Sequence, residues 1–227
     1  AIGSLSGPVG SMLAISNSIL SIAQKTDANF DGVISGNGGI YKFGLARLTL
    51  TGANTFTGST TVAGGTLQIG NTSAIAGGAG EGDLIVQDGN LDLNGFSITV
   101  NGLSGPRGVI TNSSATPVTF TIGNSDAAGT FGGAIKSANG VINLIKVGTN
   151  AQALHGTNTF TGTFDISGGH LVVINTNSGA GAYTVASGAS LGGTGLVGSA
   201  VTVSNGGFIG SKIPTATTGT LSVGSLT

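Results

Sequence analysis

Charge is scarce in this chain, and the scarcity limits what the chain can bind. Seven basic and eight acidic residues occur among 227, and the net charge is −1. A surface that binds nucleic acid needs clustered Lys and Arg to neutralise phosphates. The sequence holds no basic run. We therefore expect no nucleic-acid partner.

Cysteine and long apolar runs are missing as well. Without cysteine the chain has no disulfide framework, which fits a reducing compartment and equally a protein that crosses an envelope unfolded. A membrane helix needs about 18 or more successive apolar residues. The best candidate, residues 11–23, is shorter and is interrupted by polar side chains. We expect no membrane-spanning segment in this chain.

Glycine and branched apolar residues are plentiful, and together they favour an all-β fold. The chain has 44 glycines and is 39% hydrophobic. Disordered tracts are poor in Val, Ile and Leu, whereas here these residues recur in short alternating runs. Helices are disfavoured because no segment keeps a helical period and glycine occurs throughout.

One short phrase recurs along the chain, and we call it the corner phrase. It consists of a branched apolar residue, two small or polar residues, a glycine, and then alternating apolar residues. Alternation predicts short strands, and glycine permits the positive φ of a sharp bend between them. The copies begin at Val62, Val86, Ile166, Val185 and Val203.

The spacing of the corner phrases decides among a sandwich, a closed barrel and a solenoid. The last three copies begin 19 and 18 residues apart. A β-helix repeats a phrase at such intervals because each circuit stacks equivalent positions on the circuit below. We predict a right-handed parallel β-helix, a β-solenoid of about 11 coils of about 20 residues each.

A longer unit of about one hundred residues occurs twice. SLSGPVG at Ser4 is similar to GLSGPRG at Gly102, and FDGVISGNG at Phe30 is similar to FGGAIKSANG at Phe131. We predict one solenoid over residues 1–227 with two internal blocks, approximately 1–98 and 99–227.

The segment NTFTG occurs in both blocks, and we predict that it is a structural motif. The phenylalanine is expected to face the core between outward threonines. The asparagine near a bend tolerates left-handed geometry and can bond to its own backbone. The motif residues are Asn54, Phe56 and Gly58 in the first block and Asn158, Phe160 and Gly162 in the second.

The first motif lies within a longer recognisable stretch. LTLTGANTFTGSTTVAGGTLQIG at residues 48–70 resembles the autotransporter-associated β-strand repeat of bacterial surface proteins. Residues 188–210 and 219–227 are similar to the segment that commonly follows such repeats. The second copy departs from the pattern, because Gln152 and His155 replace part of the usual Thr-Leu-Thr-Leu run. The resemblance implies a secreted passenger with a β-helical stalk at the cell surface, and it implies no catalytic residues.

Few residues suggest chemistry. Glu81, Asp83, Asp88 and Asp92 form the only acidic cluster, and Ca²⁺ needs about six to eight oxygen ligands. We therefore expect a solvated acidic edge and no metal or cofactor, and we keep Asp83, Asp88 and Asp92 as weak metal candidates.

Two further patterns are better explained as structural than as functional. GTGLVG at residues 193–198 satisfies a dinucleotide-binding pattern, but the following residues are those of a strand and not of a helix. His155 and His170 stand in no recognisable catalytic spacing. We predict no catalytic and no cofactor-binding residue.

The sequence favours a non-enzymatic, extracellular structural or adhesive protein. Residues IGSLS near the start are similar to VGSLT at the end, so we expect an array that continues or copies that associate end to end or laterally. Low charge removes the usual repulsion against such contacts. A surface carbohydrate or protein is the other expected partner. The alternatives are a β-helical polysaccharide-degrading enzyme and an inert display stalk for another domain.

Overall fold

The computed structural model describes residues 1–78, 80–179, 181–210 and 220–227. In these ranges the chain forms short β-strands and no helix, and so it offers no helix that is long and apolar enough to cross a membrane. The strands in chain order are β1 (Met12–Ala14), β2 (Ile19–Ala23), β3 (Ala28–Phe30), β4 (Val33–Gly36), β5 (Gly39–Phe43), β6 (Arg47–Leu50), β7 (Thr55–Phe56), β8 (Thr60–Val62), β9 (Thr66–Ile69), β10 (Leu84–Val86), β11 (Asn90–Asp92), β12 (Ile98–Val100), β13 (Leu103–Ser104), β14 (Val109–Asn112), β15 (Val118–Ile122), β16 (Gly129–Phe131), β17 (Ala134–Ser137), β18 (Ile142–Lys146), β19 (Ala151–Leu154), β20 (Phe164–Ile166), β21 (His170–Val173), β22 (Thr176–Asn177), β23 (Tyr183–Val185), β24 (Ser190–Gly193), β25 (Leu196–Val203), β26 (Phe208–Ile209) and β27 (Ser222–Leu226).

Every pairing between these strands is parallel. The strands therefore stack as a β-solenoid of about 10 turns, which confirms the predicted fold class at nearly the predicted length. The sheets run in the orders β1-β4-β7, β13-β10-β8-β5-β2, β17-β14-β11-β9-β6-β3, β12-β15-β18-β20-β23-β25-β22 with β27 beside β25, and β16-β19-β21-β24-β26.

Like residues stack in columns through the core. One column joins five turns by direct register, and each of its side chains is fully buried. Burying one such side chain stabilises the fold by about 1.5–3 kcal/mol. Because the chain has few charged residues to form ion pairs, this apolar burial is a main source of its stability. The column consists of Leu48, Leu67, Leu91, Ile110 and Ile135.

The corner phrases join successive strands at bends, as predicted. Four of the five phrases contain a glycine with positive φ, the backbone region that side chains disfavour. These are Gly65 at 57°, Gly169 at 62°, Gly188 at 78° and Gly206 at 82°.

Equivalent positions of the two predicted blocks make equivalent contacts. Gly7 forms a parallel bridge with Phe30, and Gly105 forms the same bridge with Phe131. The two blocks are thus in the same relation to their neighbouring turns at these positions, which allows residues of one block to be compared with those of the other.

Candidate functional site

Each block contains a lysine that points into the solenoid and not into water. Lys42 lies on β5, in register with Ile22 on the turn before and Val62 on the turn after. Its side chain is fully buried. Because inward positions of a strand alternate with outward ones, the stem of Lys42 continues an apolar column.

The ammonium of Lys42 ends among backbone carbonyls at a bend. Nζ donates to the carbonyl oxygens of Gly44 at 3.0 Å, Ala46 at 2.6 Å and Gly64 at 2.7 Å. Gly44 and Ala46 follow β5, whereas Gly64 belongs to the next turn. One ammonium therefore ties two turns together, and we call this arrangement the first lysine corner.

Lys146 forms the second lysine corner in the same way. It lies on β18, in register with Ile122 and Ile166, and it is buried. Its Nζ donates to the carbonyl oxygens of Val147, of Gly148 at 3.2 Å and of Gly168 at 3.4 Å. Both ammonium groups thus bind two carbonyls of their own turn and one of the next.

Burial changes the acid–base properties of both lysines. Desolvation lowers the pKa of Lys42 to about 8, against an opposing effect of the carboxylate of Asp27. Desolvation likewise lowers the pKa of Lys146 to about 8, opposed by Asp126. The backbone N–H of Thr149 holds the pKa of Asp126 below its usual value. With a pKa of about 8, each ammonium is charged at neutral pH although its side chain is buried.

A glycine closes the first lysine corner. A Cβ on Gly65 would lie 2.5 Å from Nζ of Lys42 and 2.4 Å from the carbonyl oxygen of Gly44. The positive φ of 57° also disfavours a side chain there. The glycine of the corner phrase therefore makes both the bend and the room for the ammonium.

The two motif asparagines also join turns. Asn54 accepts from the backbone N–H of Ile34 at 2.8 Å and donates to the carbonyl of Ala74 at 2.7 Å. Each partner lies one turn away. Asn158 is fully buried, and it accepts from the N–H of Ile135 at 2.8 Å.

The amide of Asn158 also bonds to the following turn. Its Nδ2 donates to Oδ1 of Asn177 at 2.6 Å and to the carbonyl of Gly156 at 3.1 Å. Neither Asn54 nor Asn158 has a positive φ. The expected left-handed backbone is thus absent at these two residues, and their amides bond mainly to other turns.

The remaining motif residues pack against the core and the turn below. Phe56 and Phe160 are buried, and the Phe160 ring lies 6.0 Å from the Phe164 ring in an edge-to-face arrangement. A Cβ on Gly58 would lie 2.5 Å from the backbone of the turn below, and one on Gly162 would lie 2.3 Å from a carbonyl oxygen. Glycine at these positions allows close stacking.

The acidic residues singled out from the sequence each have separate partners. Asp83 accepts from the N–H of Gly102 at 2.9 Å. Glu81 accepts from the N–H of Gly78. Asp88 lies 3.7 Å from Arg107 in an exposed ion pair.

Asp92 does not lie on the solvated edge that the sequence led us to expect. It is buried, and it accepts from Gln68 Nε2 at 2.8 Å and from Ser113 Oγ at 2.7 Å. Within the four described ranges, no group of three His, Cys, Asp or Glu residues is placed to hold a metal ion.

The other sequence patterns lie in stacked strands. Residues 193–198 span the end of β24 and the start of β25, with no helix between them. His155 is exposed. His170 Nδ1 lies 2.6 Å from Ser190 Oγ, and no carboxylate of the described chain hydrogen-bonds to this ring.

Sequence reasoning missed the lysine corners, although a signal for them was present. Alternation in Ile40-Tyr41-Lys42 places the lysine on the same face as the buried isoleucine. The same holds for Leu144 and Lys146. A basic residue at an inward position of a strand predicts a buried cation with fixed acceptors.

Comparison with known proteins identifies the two segments that carry these corners. The family model of the passenger-associated transport repeat matches residues 40–69 and residues 144–173. Each match begins two residues before its lysine. No curated protein sequence and no solved structure matches the chain.

Proposed function

We propose, because the chain carries two passenger-associated transport repeats, that it is a structural and non-catalytic rod of a secreted passenger protein at a bacterial surface. We also propose that residues 1–227 form one solenoid built from the duplicated blocks 1–98 and 99–227.

This proposal rests on the polar side chains of the repeats, which point inward to neighbouring turns and not outward to solvent. Lys42, Lys146 and Asn158 are buried, and their hydrogen bonds run to neighbouring turns or to their own bend. A catalytic or binding side chain has to reach a ligand. These side chains are occupied in holding one turn on the next, which is what a stalk requires.

Display on the surface can be tested on cells that make this protein. An antibody against this chain is expected to label intact cells, and added protease is expected to release the labelled segment. Labelling that appears only after the cells are permeabilised would contradict surface display. A soluble periplasmic marker serves as the control for cell integrity.

End-to-end association is a second candidate, and exposed apolar side chains favour it. Met12 on β1 is 83% exposed and Ile19 on β2 is 67% exposed. Both strands are the last of their sheets in the described chain, and an open strand edge can pair with another strand. On β2 part of this edge is already taken, because the Ser21 carbonyl and the Ala23 N–H bond to Ile2. Leu226 lies on β27, which pairs only with β25 among the described strands, and it is 59% exposed.

Sedimentation of the purified chain over a wide concentration range tests this association. We propose that the wild type forms dimers and longer species as concentration rises. The Met12→Lys and Ile19→Lys double variant should stay monomeric, because charge on an edge strand opposes pairing. A wild type that is monomeric throughout would exclude self-association through these edges.

A further inference from the structure

The second block carries a groove on its outer surface that the stalk role does not use. The groove has a volume of about 400 Å³ and is open to solvent. It crosses three successive turns, which are linked by the bond from Gly132 N–H to the Gly105 carbonyl and by the bridge between Lys136 and Thr159. We call it the basic groove, and it is lined by Arg107, Gly132, Gly133, Ala134, Lys136, Thr157 and Thr159.

Two glycines make the floor of the basic groove. Gly132 and Gly133 have no side chains, whereas the turn before presents Arg107 and the turn after presents Thr157. A Cβ on Gly133 would lie 1.9 Å from the Gly108 carbonyl oxygen, so stacking of the turns keeps this position free of a side chain. The depression is therefore built into the fold.

The positive charges of the groove have little or no compensation. The side chain of Arg107 is 75% exposed, and its ion pair with Asp88 spans 3.7 Å, a loose surface contact of small energy. Lys136 is exposed on β17, and within the described part of the chain its ammonium has no hydrogen bond or ion pair. Two of the seven basic residues of the sequence thus line one groove.

The first block provides an internal comparison. Matching SGPVG with SGPRG places Val9 at the position of Arg107, and matching FDGVIS with FGGAIK places Asp31 at Gly132 and Ser35 at Lys136. The backbone supports this matching, because the N–H of Asp31 bonds to Gly7 as that of Gly132 bonds to Gly105.

All three differences change the charge in the same direction. Arg107 and Lys136 each add a positive charge, and Gly132 stands where the other block has a carboxylate. A structural rod gains nothing from three such changes around one depression, because exposed charges contribute little to stability. At these three positions the second block therefore has two cations and no carboxylate, which suits a negatively charged ligand.

We propose that the basic groove binds the carboxylate groups of an acidic polysaccharide. The planar guanidinium of Arg107 matches a carboxylate, Lys136 supplies a second cation, and the hydroxyls of Thr157 and Thr159 suit sugar hydroxyl groups. The groove lies outside the lysine corners, so this proposal does not depend on the proposed stalk function.

Titration of the full chain with a galacturonic acid trimer, followed by calorimetry, tests the proposal. The Arg107→Val and Lys136→Ser double variant introduces the residues that the first block has at these positions. We expect it to bind about 10- to 100-fold more weakly, because two charge-assisted contacts are lost. The Lys25→Ser and Arg47→Val double variant removes the same charge elsewhere and should bind as the wild type does.

A third variant should strengthen trimer binding instead of weakening it. Asp88→Asn frees Arg107 from its carboxylate partner and should tighten trimer binding about two- to fivefold, as expected for an exposed pair. The methyl-esterified trimer, which lacks the charge, should not bind.

Several results would overturn the proposal. These are no binding of the trimer, equal loss in both double variants, or binding of the methyl ester as tight as that of the acid. Displacement of the trimer by a short oligonucleotide at equal concentration would show a general attraction for anions and would overturn the assignment to a polysaccharide.

Discussion

Replacing Lys42 by methionine separates its ammonium from its apolar stem. Methionine preserves most of the buried stem between Ile22 and Val62, so little cavity forms. The carbonyls of Gly44, Ala46 and Gly64 lose a donor. The perturbation therefore tests the polar part of the lysine corner alone.

The size of the effect follows from two opposing contributions. A buried acceptor left without a partner costs about 1–3 kcal/mol, and three acceptors are affected. The variant also avoids the cost of burying an ammonium, which is several kcal/mol. We expect a net loss of about 2 kcal/mol at pH 7, or a fall in Tm of about 4–8 °C for a chain of this size.

The pH dependence of this loss gives a sharper test. The pKa of Lys42 falls from 10.5 to about 8 on folding, so between these values the unfolded chain holds a proton that the folded chain has released. Folding stability of the wild type therefore rises with pH across this window. Asp27 opposes the shift, and Arg47 pairs with Asp27 at 3.8 Å. The methionine variant lacks this gain, so its deficit should grow from pH 7.5 to pH 10.

Thermal unfolding followed by circular dichroism at several pH values measures the deficit. Lys25→Met removes an exposed lysine and serves as the control for the loss of one positive charge. A Lys42→Met variant as stable as the wild type, or a deficit that shrinks as pH rises, would refute the reasoning.

Two further pairs of variants test the contacts between turns. Asn158→Ala should lower the free energy of unfolding by about 2–3 kcal/mol, because it leaves the buried N–H of Ile135 without its acceptor. Asn54 is only half-buried, so Asn54→Ala should lower it by less. Equal losses for the two variants in urea denaturation would contradict this dependence on burial. Gly65→Ala should be more destabilising than Gly188→Ala by more than about 1 kcal/mol, because both glycines have positive φ but only the Gly65 Cβ would meet atoms within 4 Å. Similar falls in Tm for these two variants would show that backbone strain alone sets the cost.

The fold was predictable because apolar residues recur in the sequence at intervals of about one coil. The corner phrases at Val62 and Val86 lie in register on successive turns, and so do those at Ile166 and Val185. Intervals of about one coil predict parallel stacking. The handedness stays a prediction, and so does the division into blocks at residue 98.

The candidate site was less predictable, because it depends on which residues meet across turns. Lys42 Nζ bonds to the Gly64 carbonyl, 22 residues further along the chain. A pattern of neighbouring residues does not predict which groups meet at such a distance in sequence. Asp88 meets Arg107 from the next turn, although neither is close to the other in sequence. Glycine-rich bends of variable length set these contacts, and their length changes from coil to coil.

The register of neighbouring turns is the central claim, and disulfide formation measures it directly. The chain has no native cysteine, and Thr99 on β12 is in register with Thr121 on β15. A Thr99→Cys and Thr121→Cys double variant should form a disulfide under mild oxidation and keep its folded signal. A Thr99→Cys and Thr119→Cys pair, offset by two residues and thus about 8 Å apart, should not, because a disulfide needs Cα atoms within about 7 Å. Efficient bridging of the offset pair, with none for the pair in register, would contradict the stacked solenoid.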